Sequence, residues 1–418
     1  LTQYADVAEA VAHAHRHEWA RVLAATVRVA RDLDLAEECT QDAYTKALSH
    51  WAANGVPDRP GAWLTTVARN RARDLLRRES VLRSALPLLV MDDVAAGPED
   101  VPDPQEVADD LLRLIFTCCH PALSRDAQVA LTLRLVCGLS TTEVARAFLV
   151  QDAAMAARIT RAKKKISAAR IPYRVPDRAE LPARVDAVLE VVHLVFTTGH
   201  AAPFGSQLVR RDLVDGAIRL ARNLRQLLPG SSDVAGLLAL LLLTDSRRDT
   251  RLSDSGELVL LAEQDRTRWD AGLIEEGAAL LTEVLRSAGA TRYSVQAAIV
   301  AVHTEAATWE DTDWVEVAGL YDVLRRLWPS PVVELNRAVA IGYRDGPEAG
   351  LEALSPLQDE PALSTYGYLS AARADFLSRL GRWADAATSY EEALAMTGNE
   401  VERAFLARRL EEVLGHLD

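Results

Sequence analysis

Cysteine is scarce in this 418-residue chain: four in all, at 39, 118, 119 and 137, with none beyond. That spacing makes no disulfide framework and leads us to expect a reduced, cytoplasmic protein. Long apolar runs are missing too. The most continuous one, Val234–Leu243 (VAGLLALLLL), is too short to cross a bilayer and reads as a buried helix. The His-rich, amphipathic N-terminal stretch lacks the apolar core and cleavage site of a secretion signal. No phosphate-binding glycine loop, dinucleotide fingerprint, HExxH or nucleophile elbow occurs, so neither an enzyme nor a cofactor is expected. Convincing strand alternation is also lacking. What remains is helical periodicity, and 49% hydrophobic residues are ample for packed cores. The length argues for two to three domains.

Charge is divided unevenly. The chain carries 47 Lys and Arg against 60 Asp and Glu, a net charge of -13. Residues 1–175 hold 23 basic and 22 acidic side chains, and 176–418 hold the other 24 and 38. The acidic half should repel a phosphate backbone, so any nucleic acid belongs to the first half. A free chain of this kind is also expected to shield its basic helices with its acidic half.

Two basic helices stand out there. WLTTVARNRARDLLRRES (Trp63–Ser80) places Arg69, Arg71, Arg73, Arg77 and Arg78 on one helix with an apolar face of Trp63, Leu64, Val67 and Leu75. Arginine grips phosphates in forked geometry, and Asn70 can hydrogen-bond base edges or another helix. Trp63 fits either an unpaired base or the core. The second, MAARITRAKKKISAARIPYR (Met155–Arg174), has seven basic residues and no acid. Before it, Ser140 with Glu143 three residues on forms a capping box, and a tight turn at Leu149–Asp152 completes a helix–turn–helix pattern. The start of this helix, with Ala153, Ala154, Ala157 and Arg158, suits the major groove; Arg161, Lys163, Lys164 and Lys165 suit phosphates.

Elsewhere the pattern predicts helices at Ala8–Leu33, Leu35–Trp51 (capped by Asp34), Ala62–Arg78, Val107–Cys119 and Ser124–Val136. Residues 84–105, with GPEDVPDPQE, read as a linker. From 176 to 418 helices continue, with hairpin-like repeats in Leu335–Leu410 and small residues at helix approaches, a tetratricopeptide-like signal. Cys118-Cys119-His120 invites a zinc reading, but without a second CxxC pair these read as core thiols, and no metal is expected. The dense polar block with Asp245, Arg247, Arg248, Asp265, Arg268 and Trp269 fits either a salt-bridged inter-domain contact or a ligand cleft. The stretch from His193 through Thr197 and Thr198 to Gly199 and His200 is a weaker site signal.

These motifs together resemble a bacterial RNA polymerase sigma factor of the extracytoplasmic-function type, in the subgroup with a long tetratricopeptide-like C-terminal extension. Asp34–Glu38 and Gln41–Ala47 are similar to the polymerase-binding helix of region 2. Ala62-Trp63-Leu64, Ala68-Arg69-Asn70 and Asp74–Arg78 are similar to its −10 segment. Leu139-Ser140, Glu143-Val144-Ala145, Ala157-Arg158-Ile159 and Arg161-Ala162-Lys163 resemble region 4. The extension is represented by Tyr173–Pro176, His193–Phe196, the polar block, Glu334–Ala340 and Arg373–Arg409. Ala153-Ala154-Met155 departs from the Ser or Thr usual near the start of the recognition helix, which bears on promoter preference.

The resemblance implies an all-α protein. Residues 1–83 would be region 2, 84–105 a linker, 106–172 region 4 and 176–418 a helical regulatory domain. Single-stranded −10 DNA would meet Trp63, Arg69, Asn70, Arg73, Arg77 and Arg78. Double-stranded −35 DNA would meet Ala154, Arg158, Arg161, Lys163, Lys164 and Lys165. Glu38, Gln41, Asp42, Tyr44 and Lys46 would bind core RNA polymerase, whose β' clamp and β flap are the implied partners. A regulatory protein at the C-terminal domain is a further implied partner, and no membrane is. Three rivals remain: a helix–turn–helix regulator that is not a polymerase subunit, a helical-repeat scaffold, and an enzyme or ligand sensor in the C-terminal half, which rests on Asp245–Trp269 alone.

Overall fold

The structure, a computed structural model, describes residues 7–84, 104–148, 150–177, 179–287 and 289–417. Most of the expected linker therefore lies outside the described residues. The chain is all-α and divides into two compact units, residues 1–194 and 195–418, passing from one to the other within a helix. Among the described residues no helix is long and apolar enough to cross a membrane.

In the first unit α1 (Val7–Ala30) is the central helix. It packs on α2 (Leu33–Asn54), α3 (Pro60–Ser84) and α4 (Pro104–Cys118). Its buried face runs through Ala10 and Ala14, then Trp19, Leu23 and Val27, each set at the four-residue spacing of an apolar stripe, with Val22 beside them. Arg31 takes φ 55 and ends α1. The cap of α2 is Asp32, not the expected Asp34. Asp32 has extended backbone, and its carboxylate accepts from Leu35 N at 2.8 Å.

The second half of this unit follows α4 with α5 (Arg125–Leu131), a π-turn at Thr132–Val136, α6 (Thr141–Phe148) and α7 (Asp152–Ala168). The helix expected over Ser124–Val136 thus widens at its end. There the Leu135 carbonyl accepts the Trp19 indole N–H at 3.2 Å. Gly138, at φ +74, allows the turn to pass Trp19, since a Cβ there would sit 3.1 Å from the indole ring. The capping box forms as expected: Ser140 N donates to Glu143 Oε2 at 2.7 Å and Glu143 N to Ser140 Oγ at 3.2 Å. The first part of α8 (Leu181–His200) is tied to this unit by Arg184, which donates to the Phe116 carbonyl at 2.5 Å.

The second unit is built on α10 (Ser232–Asp245), whose run Leu237–Leu243 is buried all round between α9 (Arg211–Leu227), α11 (Ala271–Ser287) and α12 (Arg292–Glu305). That is the environment the apolar run required. Helix hairpins continue it: α13 (Trp314–Leu327) with α14 (Pro331–Asp345), then α15 (Pro347–Leu354), α16 (Gly367–Arg379), α17 (Trp383–Met396) and α18 (Glu400–Leu414). Gly381 turns α16 into α17 at φ +69, and Ala386, Tyr390 and Ala393 share the buried face of α17. The Phe376 ring lies against glycines of α14 and α15. A Cβ at Gly350 would lie 2.5 Å from Phe376 Cε2, and one at Gly342 would be closer still. A short strand pair, not anticipated, joins Phe204–Gly205 in parallel to Gly398–Asn399. Buried Asn399 holds it, its amide donating to the Ala202 and Gln207 carbonyls at 2.9 and 3.0 Å.

Candidate nucleic-acid interface

Helix α3 has an apolar face because Leu64, Ala68 and Ala72 recur every four residues and are fully buried. The same periodicity puts Arg73, Arg77 and Arg78 on the exposed face. Arg69 and Asn70 are half-buried, and Asn70 Oδ1 accepts from Arg73 at 3.0 Å. Arg71 is committed inward, donating to Asp42 on α2 at 2.9 Å. Trp63 is half-buried in an aromatic group, stacked on His50 at 5.2 Å between centroids and edge-on to Trp51 at 5.6 Å. His50 would have to move aside before the stacked face of Trp63 could take a base.

On α2, Glu38, Gln41 and Lys46 are exposed and Asp42 is half-buried. Tyr44 is a correction to the expected surface set. It is buried, its hydroxyl donates to the Ala14 carbonyl at 3.2 Å, and desolvation drives its phenol far above the ordinary range.

The basic helix α7 is split by its period in the same way. Met155, Ile159, Ala162 and Ile166 are buried, while Ala154, Arg161, Lys164 and Lys165 are exposed. Arg158 is half-buried, 5.4 Å over the Phe148 ring and 3.5 Å from Asp126. Lys163 is the second correction. Only 9% exposed, it turns from solvent toward α2 and donates to Asp34 at 2.7 Å and Glu37 at 2.6 Å. Burial pulls its ammonium down, but Glu37 and Asp34 outweigh that and hold it above its ordinary value. Glu37 also takes Arg134. Tyr173 closes the same contact, its hydroxyl shared between the Ala24 and Asp110 carbonyls at 3.0 Å each. The two basic helices thus belong to two helical bundles packed together in one unit. Sequence reading missed this contact, because Lys163 sits among six other basic residues with nothing local to mark it.

Comparison with known proteins decides what these bundles are. Residues 15–81 match Sigma-70 region 2, and residues 113–166 match Sigma-70, region 4. The chain is a sigma factor of the sigma-70 family. Residues 184–285 match a family of unknown function (DUF6596), so this sigma factor carries a long C-terminal extension. An uncharacterized protein of Rhizobium meliloti (strain 1021) is 43% identical over 397 residues, covering 94% of this chain and 93% of that protein. No solved structure matches. The two matched regions imply binding to core RNA polymerase and to promoter DNA, hence a part in transcription initiation; sigma factor families are not enzymes.

In this sigma factor the polar block of the extension is only partly an ion-pair network. Arg248 is paired on both sides, with Asp245 at 2.5 Å and Asp215 at 2.7 Å. Trp269 is buried and donates to Thr250 Oγ1 at 3.0 Å, while Asp265 and Arg268 are exposed. Arg247 differs from Arg248 in that its Nε is buried with no hydrogen-bond partner. Cys118 and Cys119 are buried thiols, raised by desolvation, and Cys119 is pushed up to about 11. Among the described residues no group of three His, Cys, Asp or Glu side chains is arranged to hold a metal.

Proposed function

We propose that this sigma factor directs core RNA polymerase to specific promoters and helps melt them, as an extracytoplasmic-function-type member with a tetratricopeptide-like regulatory extension over 176–418. Residues 1–83 bind polymerase through Glu38, Gln41, Asp42 and Lys46 and hold the opened −10 strand on Arg69, Asn70, Arg73, Arg77 and Arg78, with Trp63 taking an extruded base. Residues 106–172 dock α7 in the −35 major groove, Ala154 letting the helix approach, Arg158 reading a base, and Arg161, Lys164 and Lys165 on phosphates. The reaction is recruitment and strand capture, in which binding to the unpaired strand offsets unstacking.

The observation that carries this reading is the segregation of Arg73, Arg77 and Arg78, and of Arg161, Lys164 and Lys165, onto exposed faces of the two matched regions. The Lys163 contact with α2 gives the reading a sequence of events. The two bundles separate before both promoter elements are engaged, and Lys163 then joins the phosphate-facing set. The test is to add the full chain to core polymerase and map initiation on a genomic promoter library. Discrete start sites, abolished on replacing Arg73, Arg77 and Arg78 together by Ala, support it. No binding to core polymerase overturns it in favour of a free-standing regulator.

A further inference from the structure

Arg247 follows α10 directly and is the odd member of the polar block. Its neighbour Arg248 is satisfied by two carboxylates. Arg247 Nε is buried with no hydrogen-bond partner, and so is Arg266 Nη2. Arg266 spends its other terminal nitrogen on the His303 and Ala306 carbonyls, at 2.5 and 2.6 Å. Arg251 donates to the His200 carbonyl. Both ring nitrogens of His200 and Nδ1 of His303 are also buried and unpartnered.

These groups sense one another; on Arg247, His200 and His303 every neighbour named acts with one sign, whereas Arg251 also faces Tyr368, Glu402 and Asp245, and Arg266 faces Glu310 and Asp311. Burial, then Arg251 and Arg266, pull the Arg247 guanidinium down to about 10, with no carboxylate acting on it. Burial, then Arg247 and Arg266, hold His303 down at about 4. Burial, then Arg251, Arg247 and Arg248, hold His200 well below its usual range. Buried charge is costly unless paired, and a buried unpaired donor forfeits its full hydration. Five buried polar atoms go unpartnered here: one nitrogen each on Arg247 and Arg266, both ring nitrogens of His200, of which a neutral imidazole can donate from only one, and Nδ1 of His303. Arg247 as a residue is half-buried, while its Nε is fully buried.

We propose that Arg247, Arg251 and Arg266, with His200 and His303, form an anion site in the C-terminal unit that takes a small oxyanion, either phosphate itself or a phosphate-bearing metabolite. Guanidinium groups supply charge and forked donors, and neutral imidazoles add N–H donors. The site stands independently of promoter recognition, since every residue in it belongs to the extension. It would make the extension responsive to an anionic ligand.

The test is thermal unfolding of the full chain with inorganic phosphate titrated against chloride at constant ionic strength. At about 100 times Kd the expected rise is about 5–10 °C for a unit of this size. Arg247→Met should abolish the rise and Arg247→Lys should keep part of it. Equilibrium dialysis of labelled phosphate on the unaltered chain gives a second reading that does not depend on how the variants fold. Tighter binding of a nucleoside monophosphate than of inorganic phosphate would support the site and identify the metabolite source. Equal binding would support it with the free anion as ligand. No rise and no retention in dialysis, or an equal rise in folded Arg247→Met, would overturn it.

Discussion

Replacing Lys163 by Met should loosen the contact between the two bundles of the first unit. Lys163 is 9% exposed and holds two carboxylates, Glu37 at 2.6 Å and Asp34 at 2.7 Å. The two do not count equally. The Asp34 side chain is 69% exposed, so its pairing is screened and contributes little. Glu37 is as buried as Lys163, and removing one partner of a buried pair typically costs about 3–5 kcal/mol. Glu37 retains Arg134, however, so its charge is not abandoned. A loss of about 2 kcal/mol is expected, roughly thirtyfold in the closed-to-open ratio. Amide hydrogen exchange on α2 and α7 should speed up by that factor, with Trp19 emission shifting as its hydrogen bond to Leu135 loosens. Lys164→Met is the control: this side chain is exposed, so the substitution should leave exchange unchanged while weakening promoter binding. If Lys163→Met and Lys164→Met exchange alike, the buried pair does not hold the bundles together and the energetic argument fails.

Replacing Arg73, Arg77 and Arg78 by Ala should reduce binding of single-stranded −10 DNA. The log–log salt slope should flatten by roughly 0.7 for each phosphate that is no longer neutralised, read by fluorescence anisotropy across a salt series. Acid should weaken the second unit. His303 is held near 4 in the fold and titrates near 6.5 when unfolded, so the unfolded chain binds the extra proton first. Its contribution is intact above about 6.5, falls as pH drops, and amounts to about 3 kcal/mol removed by pH 4, measurable by denaturant titration at several pH values. Gly342→Ala should destabilise α14–α16 by about 2 kcal/mol or more, because the new methyl meets the buried Phe376 ring; combining it with Phe376→Leu should recover part of the unfolding temperature. Among the thiols, half-buried Cys137 should be alkylated first in the native protein, with Cys39, Cys118 and Cys119 reacting only on unfolding.

Helical periodicity, the Ser140–Glu143 box and the two basic helices were legible in the amino-acid order because they are local. A helix repeats every 3.6 residues, so which side of α3 or α7 is apolar follows from spacing alone. The buried course of Leu237–Leu243 was legible for the same reason: a helix apolar all round has nowhere else to go. Tertiary structure decided whatever depends on partners far along the chain. Asp34 yielded its expected capping role to Asp32 and was free to meet a lysine 129 positions away. Tyr44 left the surface because α1 lies over it, and Lys163 left the DNA-facing set because α2 presents two carboxylates to it. The polar block reads as one stretch of mixed charge, yet Arg248 is doubly paired and Arg247 has no carboxylate acting on it. Local spacing determines which face of a helix is wet; only the packing of distant helices decides which charges on it are already spoken for.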